Sequence, residues 1–269
     1  MKRAWMILLT LAAVTGAATG CSTAAEETST PPTGTEATLP PETPAPGDHT
    51  LAFRSAEGAK LEFLLHAPPG YAPGKAYPLV VALHGSEAAE TLPVRTGLNE
   101  VADANGFLVA YPKEFPDARA VGALLDHLVP VWGVDTRRVH ATGFSRGATL
   151  AYDVAERLAD RFASVAPVSG SNPDTSVPSR PLSLITFQGG DDRLSQAWPV
   201  TNTGWDKALG CGNEQVRSIT MEGGPTHVYT TTCPGGTEHV VYSVARMGHA
   251  WPADASRLMW EFFTRHPLP

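Results

Sequence analysis

A serine stands between two glycines in Gly143-Phe144-Ser145-Arg146-Gly147, which fits the pattern G-x-S-x-G. The apolar run RVHATG leads into it, and the helix-forming run ATLAYDVAERLAD follows it. That setting predicts a strand-to-helix turn so tight that both flanks need glycine, with the serine hydroxyl exposed at the positive end of a helix. A serine hydroxyl is a poor nucleophile near neutral pH. An imidazole must take its proton, and a carboxylate must orient that imidazole. The chemistry such a set performs is acyl transfer through a covalent acyl-serine.

Four histidines follow Ser145: His227, His239, His249 and His266. His249 lies in Met247-Gly248-His249-Ala250-Trp251-Pro252, between the last predicted strand and the last predicted helix. That places it at the carboxyl ends of the strands, where sites in parallel sheets form. His227 and His239 flank predicted strands and read as solvated side chains, and His266 is in the tail. For the acid, a strand over 184–187 runs into Gln188-Gly189-Gly190-Asp191-Asp192. Both carboxylates follow a strand end, and spacing does not separate them. An oxyanion hole needs two backbone N–H groups aimed at the developing charge. Arg146 and Ser86, the latter in His84-Gly85-Ser86, are the expected donors, with His84 expected to support that loop. Trp251, two residues past His249, is expected to flank the base in the cleft. The Arg146 side chain either leans into the cleft toward polar or anionic groups or pairs with a nearby acid.

These residues need a frame. Continuous apolar runs at 78–83, 107–111, 139–144, 163–169, 182–187 and 239–245 suit strands buried on both faces. An alternating pair at 51–54 and 59–66 reads as an opening hairpin. Val121, Leu124, Leu125 and Leu128 have helical spacing, as do the small residues Ala148, Ala151 and Ala155. Leu258, Met259, Phe262 and Phe263 mark a closing helix. Strand–helix alternation predicts an α/β domain, a mostly parallel central sheet with helices on both faces. Apolar residues make up 42% of 269 residues, enough for a sizeable core. The net charge of −7, with no basic tract after residue 3, argues against nucleic acid as a partner.

Met1-Lys2-Arg3, an apolar run to about Val14 and small residues up to Cys21 read as a secretory signal over 1–20. A cysteine directly after the small residues makes it resemble a bacterial lipoprotein signal, with Cys21 lipidated; the alternative is ordinary secretion and release. Residues 21–49, rich in Thr, Pro and acids, read as a tether too polar to fold. The folded domain is then 50–269, held extracellularly at the outer face of the membrane by the lipid alone. Cys211 and Cys233 remain, an even number in an oxidising compartment. A disulfide between them would close a loop of 22 residues and contribute roughly 3 kcal/mol. No His or Cys partner at ligand spacing makes them a metal pair.

At these residues the chain resembles the bacterial polyhydroxybutyrate depolymerase and feruloyl esterase group, secreted α/β-hydrolases that include lipoproteins. The segments are PLVVALHGS, then ATGFSRGATLAYDVAERLADRFASVAPVSG, then GHAWP and a helix ending FFTRHP, within about 60–266. The resemblance implies the α/β-hydrolase fold, Ser145 as nucleophile and His249 as base. The group's acid motif H-G-T-x-D aligns with Gln188-Gly189-Gly190-Asp191-Asp192 and selects Asp192. Its Trp…Gly-Cys segment matches Trp205 to Cys211 and supports the Cys211–Cys233 pairing. Three departures stand out. The stretch after Tyr111-Pro112 is short where the group has a longer loop, Arg146 follows the nucleophile where Asn or Ala is common, and Gln188 replaces His.

The expected activity is carboxylic-ester hydrolysis by Ser145, Asp192 and His249, with no metal and no organic cofactor. The expected substrate is a polyester, a feruloylated or acetylated polysaccharide, or a small ester. A serine peptidase of the same fold would carry the same triad, but no long lid or propeller-sized insertion is visible in the sequence. A non-catalytic binding member would be expected to have lost a triad residue.

Overall fold

The computed structural model describes residues 42–114 and 116–269. The signal segment, Cys21 and the tether up to residue 41 lie outside the described residues. Among the described residues, ten strands form one sheet. In chain order they are β1 (Gly47–Arg54), β2 (Lys60–Ala67), β3 (Tyr77–Leu83), β4 (Leu108–Pro112), β5 (Val134–Phe144), β6 (Ser164–Val168), β7 (Ser183–Gly189), β8 (Gly212–Met221), β9 (Gly224–Thr232) and β10 (Glu238–Val244). Their spatial order is β1-β2-β4-β3-β5-β6-β7-β10-β9-β8. The run β4-β3-β5-β6-β7-β10 is parallel, and each edge is an antiparallel hairpin.

Every residue of β3, β4, β6 and β7 is buried. That is what the continuous apolar runs imply for strands covered on both faces. The helices are α1 (Leu92–Thr96), α2 (Leu98–Asn105), α3 (Ala118–Trp132), α4 (Arg146–Arg157), α5 (Trp198–Leu209) and α6 (Ala255–Phe263). One core gathers Trp132, Tyr152, Phe162 and Trp205 from and around α3, α4 and α5. The other gathers Phe107, Phe187, Phe262 and Phe263 around α2 and α6. Burying an aromatic or aliphatic side chain of this size stabilises by roughly 1.5–3 kcal/mol, so two such layers hold the helices on the sheet. No helix among the described residues is long and apolar enough to cross a membrane.

The structure extends the sequence reading in two places. The opening hairpin begins at Gly47, paired with Ala67. Just before it, the Glu42 carboxylate accepts from His127 Nε2 and Trp132 Nε1, both at 2.8 Å. Residues 42–49, assigned above to the tether, are therefore packed on the domain. Second, 212–232 forms the hairpin β8–β9, for which no strand is predicted. The first seven residues of β8 are exposed on both faces, so no alternation of apolar and polar residues marks it. The disulfide Cys211–Cys233 closes the open end of that hairpin.

Candidate active site

Strand β5 delivers its last residue, Phe144, to the foot of α4, and Ser145 sits in the turn between them. Ser145 has φ 58° and ψ −116°. This left-handed conformation costs a non-glycine residue about 1–3 kcal/mol and persists only where surroundings over-determine it. They do so here. The Ser145 N–H donates to the Val168 carbonyl at 3.0 Å, and its own carbonyl accepts from Ala148 and Thr149 at 3.0 and 3.2 Å. Gly147 lies so close to the end of β3 that a methyl group there would overlap the Leu83 carbonyl oxygen. The glycine of the motif is thus required by close approach.

The Ser145 hydroxyl donates to His249 Nε2 at 2.9 Å, and His249 Nδ1 donates to Asp192 Oδ2 at 2.8 Å. The three side chains follow the ends of β5, β7 and β10, parallel strands of one sheet with β6 between β5 and β7, so the sheet's carboxyl edge brings together residues 57 and 104 positions apart. Asp192 is 3% exposed, whereas Asp191 is exposed. The Asp191 amide donates to the Met247 carbonyl, which ties the acid loop to the base loop. The Asp192 amide turns back to Gly189, and its second carboxylate oxygen accepts from the Leu194 N–H at 2.9 Å. A carboxylate held on both oxygens fixes the orientation of the imidazole that it accepts from.

The loop carrying Ser86 is seated against the nucleophile. A Cβ on Gly85 would lie 3.1 Å from Ser145 Cβ and 2.8 Å from a Glu87 carboxylate oxygen. His84 is buried beneath the loop, in keeping with a supporting role. The Arg146 amide is the first of α4, and its side chain is exposed. That side chain borders a depression lined also by Asp117, Asp153 and Glu156. Trp251 does not stand free in a cleft. It is partly buried, and its Nε1 donates to Ser256 Oγ at 3.2 Å. Ser256 in turn donates to the Thr96 carbonyl at 2.6 Å, which anchors the base loop to α1.

Several residues near the triad escape the sequence reading. The aromatic ring that meets the His249 imidazole is Phe144, with centroids 4.9 Å apart. The Arg95 guanidinium lies 4.9 Å from the centre of the Phe144 ring and 3.6 Å from a Glu87 oxygen. Phe144 had a legible signal, its place directly before the nucleophile. Arg95 had none, since α1 reaches the site only through the fold, and Glu87, directly after Ser86, went unread. His239, read above as solvated, is instead 2% exposed and bonded to Asp206 at 2.9 Å.

No family model matches the chain. It is 30% identical over 206 residues to NocK, an esterase by name, of Nocardia uniformis subsp. tsuyamanensis. It is 28% identical over 153 residues to a bifunctional acetylxylan esterase/xylanase of Neocallimastix patriciarum. It is 26% identical over 159 residues to poly(3-hydroxyalkanoate) depolymerase C of Paucimonas lemoignei. These alignments cover 60%, 52% and 51% of this chain, and 60%, 22% and 38% of the relatives, so the chain spans less than two thirds of each. Among solved structures, an acetyl xylan esterase from Aspergillus awamori superposes with a TM-score of 0.66 at 15% identity, covering 81% of this chain and 99% of that one. The chain has the α/β-hydrolase fold, and its homologues include an acetylxylan esterase and a polyhydroxyalkanoate depolymerase.

Proposed function

We propose that this chain is a serine carboxylic-ester hydrolase. The observation that carries the reading is the unbroken relay from Ser145 Oγ through His249 to Asp192, with hydrogen bonds of 2.9 and 2.8 Å. Ser145 Oγ attacks the ester carbonyl as its proton passes to His249 Nε2. The N–H groups of Arg146 and Ser86 hold the tetrahedral oxyanion. His249 then protonates the departing alkoxide and leaves an acyl-serine. Water attacks that ester with His249 again as base, and the acid is released. Asp192 keeps the imidazole in the productive tautomer and stabilises its charged form.

The relatives' names point to substrates of the acetylated or feruloylated polysaccharide and polyester type. The connection from β4, ending at Pro112, to α3, starting at Ala118, is short in sequence, which we read as too short for a lid that buries a long acyl chain. Acetyl and butyryl esters should therefore be turned over well and long-chain esters poorly. The Cys211–Cys233 disulfide supports an oxidising compartment. With the signal-like segment and Cys21, it favours a lipid-anchored protein at the outer face of the cell membrane.

The test is a series of p-nitrophenyl esters from acetyl to palmitoyl, run beside Ser145→Ala. The variant should lose roughly 10⁴- to 10⁶-fold in turnover while its circular dichroism is unchanged. Wild-type turnover in Ser145→Ala would refute the nucleophile assignment. Rates rising from butyryl to palmitoyl would refute the open short-chain cleft.

A further inference from the structure

The loop that supplies the oxyanion donor Ser86 carries a negative charge of its own. Glu87 is the next residue. The point where a Gly85 Cβ would stand is 2.8 Å from Glu87 Oε2 and 3.1 Å from Ser145 Cβ. The carboxylate and the nucleophile's side chain therefore flank the space of one methyl group. Glu87 Oε1 is buried and accepts no hydrogen bond. Its charged neighbour is Arg95, whose Nε lies 3.6 Å away.

Arg95 is placed by two contacts. Its guanidinium lies 4.9 Å from the centre of the Phe144 ring, an arrangement in which the ring face attracts the cation. That ring, 3% exposed, also packs on the His249 imidazole. Arg95 thus stands over the residue before the nucleophile, with the oxyanion loop on one side and the base on the other. The other carboxylates nearby have partners of their own. Asp192 accepts from His249 and from the Leu194 N–H. Glu90 pairs with Lys113 at 3.0 Å. The exposed Arg146 side chain borders Asp117, Asp153 and Glu156. Among the described residues, Arg95 is the cation in ion-pair contact with Glu87.

Acyl transfer places a new negative charge on the oxygen held by the Ser86 and Arg146 amides. A carboxylate this close opposes that charge unless a cation offsets it, and more strongly where protein displaces water. The ester carbonyl carries no net charge before attack, so the opposition falls on the transition state and spares substrate binding. A partly exposed ion pair adds little to folding stability, so its removal should be felt in turnover first.

We propose that Arg95 keeps the oxyanion site effective by neutralising Glu87, acting through that carboxylate and touching no substrate atom. The proposal rests on the ester-hydrolase reading above. Arg95→Met, Arg95→Lys, Glu87→Gln and the double variant Arg95→Met/Glu87→Gln are compared with wild type on p-nitrophenyl acetate. The rate at which a fluorophosphonate labels Ser145 is measured beside them. Arg95→Met should lose about tenfold in kcat with KM little changed. Glu87→Gln, which leaves a cation beside the oxyanion, should equal or exceed wild type. The double variant should recover most of the loss, and Arg95→Lys, which keeps the charge, should be faster than Arg95→Met. A purely structural pair would slow both single variants alike and would show no recovery in the double. Either of those results overturns the proposal, as does an Arg95→Met with wild-type kcat or with its loss confined to KM. Glu87→Gln and Arg95→Lys keep it falsifiable if Arg95→Met misfolds, which circular dichroism would reveal. A wild type that neither hydrolyses the ester nor takes the label would overturn the ester reading itself, and this proposal with it. An active wild type without charge recovery would overturn this proposal alone.

Discussion

The turn that carries Ser145 and the edge hairpin β8–β9 obey opposite constraints. At the turn, strands buried on both faces converge, and the backbone of one element fills the space where another would need a Cβ. At the hairpin, eight of the ten residues of β8 are exposed, and Val216 is 54% exposed. The first region has one permitted arrangement and holds its nucleophile in a strained conformation by force of packing. In the second, β8 pairs only with β9, and the Cys211–Cys233 disulfide closes its end, so the exposed residues of β8 tolerate change. A reactive hydroxyl needs the former, because a displacement of about 1 Å costs catalysis on the order of 10²-fold.

The same substitution in both regions breaks or sharpens the contrast most directly. Gly147→Ala forces a methyl into the Leu83 carbonyl and should cost about 3–5 kcal/mol, the scale of severe core strain. A urea midpoint close to wild type would show the turn to be looser than described. Next in size, the double substitution Cys211→Ser and Cys233→Ser opens the hairpin loop. It should lower stability by roughly 3 kcal/mol, read as a lower thermal midpoint with the triad intact.

A smaller effect comes from His140 in β5, the strand that feeds the turn. Burial pushes its imidazole down to about 3 from the ordinary 6.5, aided by the charges of His266 and Arg138. The folded chain keeps it neutral while the unfolded chain protonates it below about 6.5. Its contribution is therefore fully present above that pH and is lost as the pH falls toward 3, by at most about 1.4 kcal/mol per unit. His140→Gln should flatten the fall of the urea midpoint between pH 6.5 and 5. An unchanged slope would assign the acid sensitivity elsewhere. The smallest effect is expected from Gly212→Ala at the start of β8, where a Cβ meets nothing within 4 Å. Its stability should stay within about 0.5 kcal/mol of wild type. A loss comparable to that of Gly147→Ala would erase the distinction between the two regions.

How far each feature was legible follows from how local its cause is. G-x-S-x-G announces itself because a strand, a tight turn and a helix lie within a few residues of Ser145. His249 is found because chain order and strand-end position leave few rivals. Asp191 and Asp192 are neighbours with the same chemistry, and the residues alone did not separate them. What separates them is the Asp191 amide bonding to Met247, 56 residues away, which turns the next side chain inward. His239 was misread because its partner Asp206 lies on a helix 33 residues earlier. Strand β8 was missed because a strand exposed on both faces leaves no hydrophobic period.

The sequence by itself determined the parallel core, the order of nucleophile, acid and base, and the glycines that let backbones touch. Continuous apolar runs and a tight turn are local properties, and burial follows from them directly. Only the tertiary structure decided which carboxylate meets the imidazole, which ring packs on it, and that Arg95 of α1 and Glu87 of the loop after β3 meet beside the nucleophile. Those contacts join segments tens of residues apart, and no periodicity within a segment records which distant partner it will face.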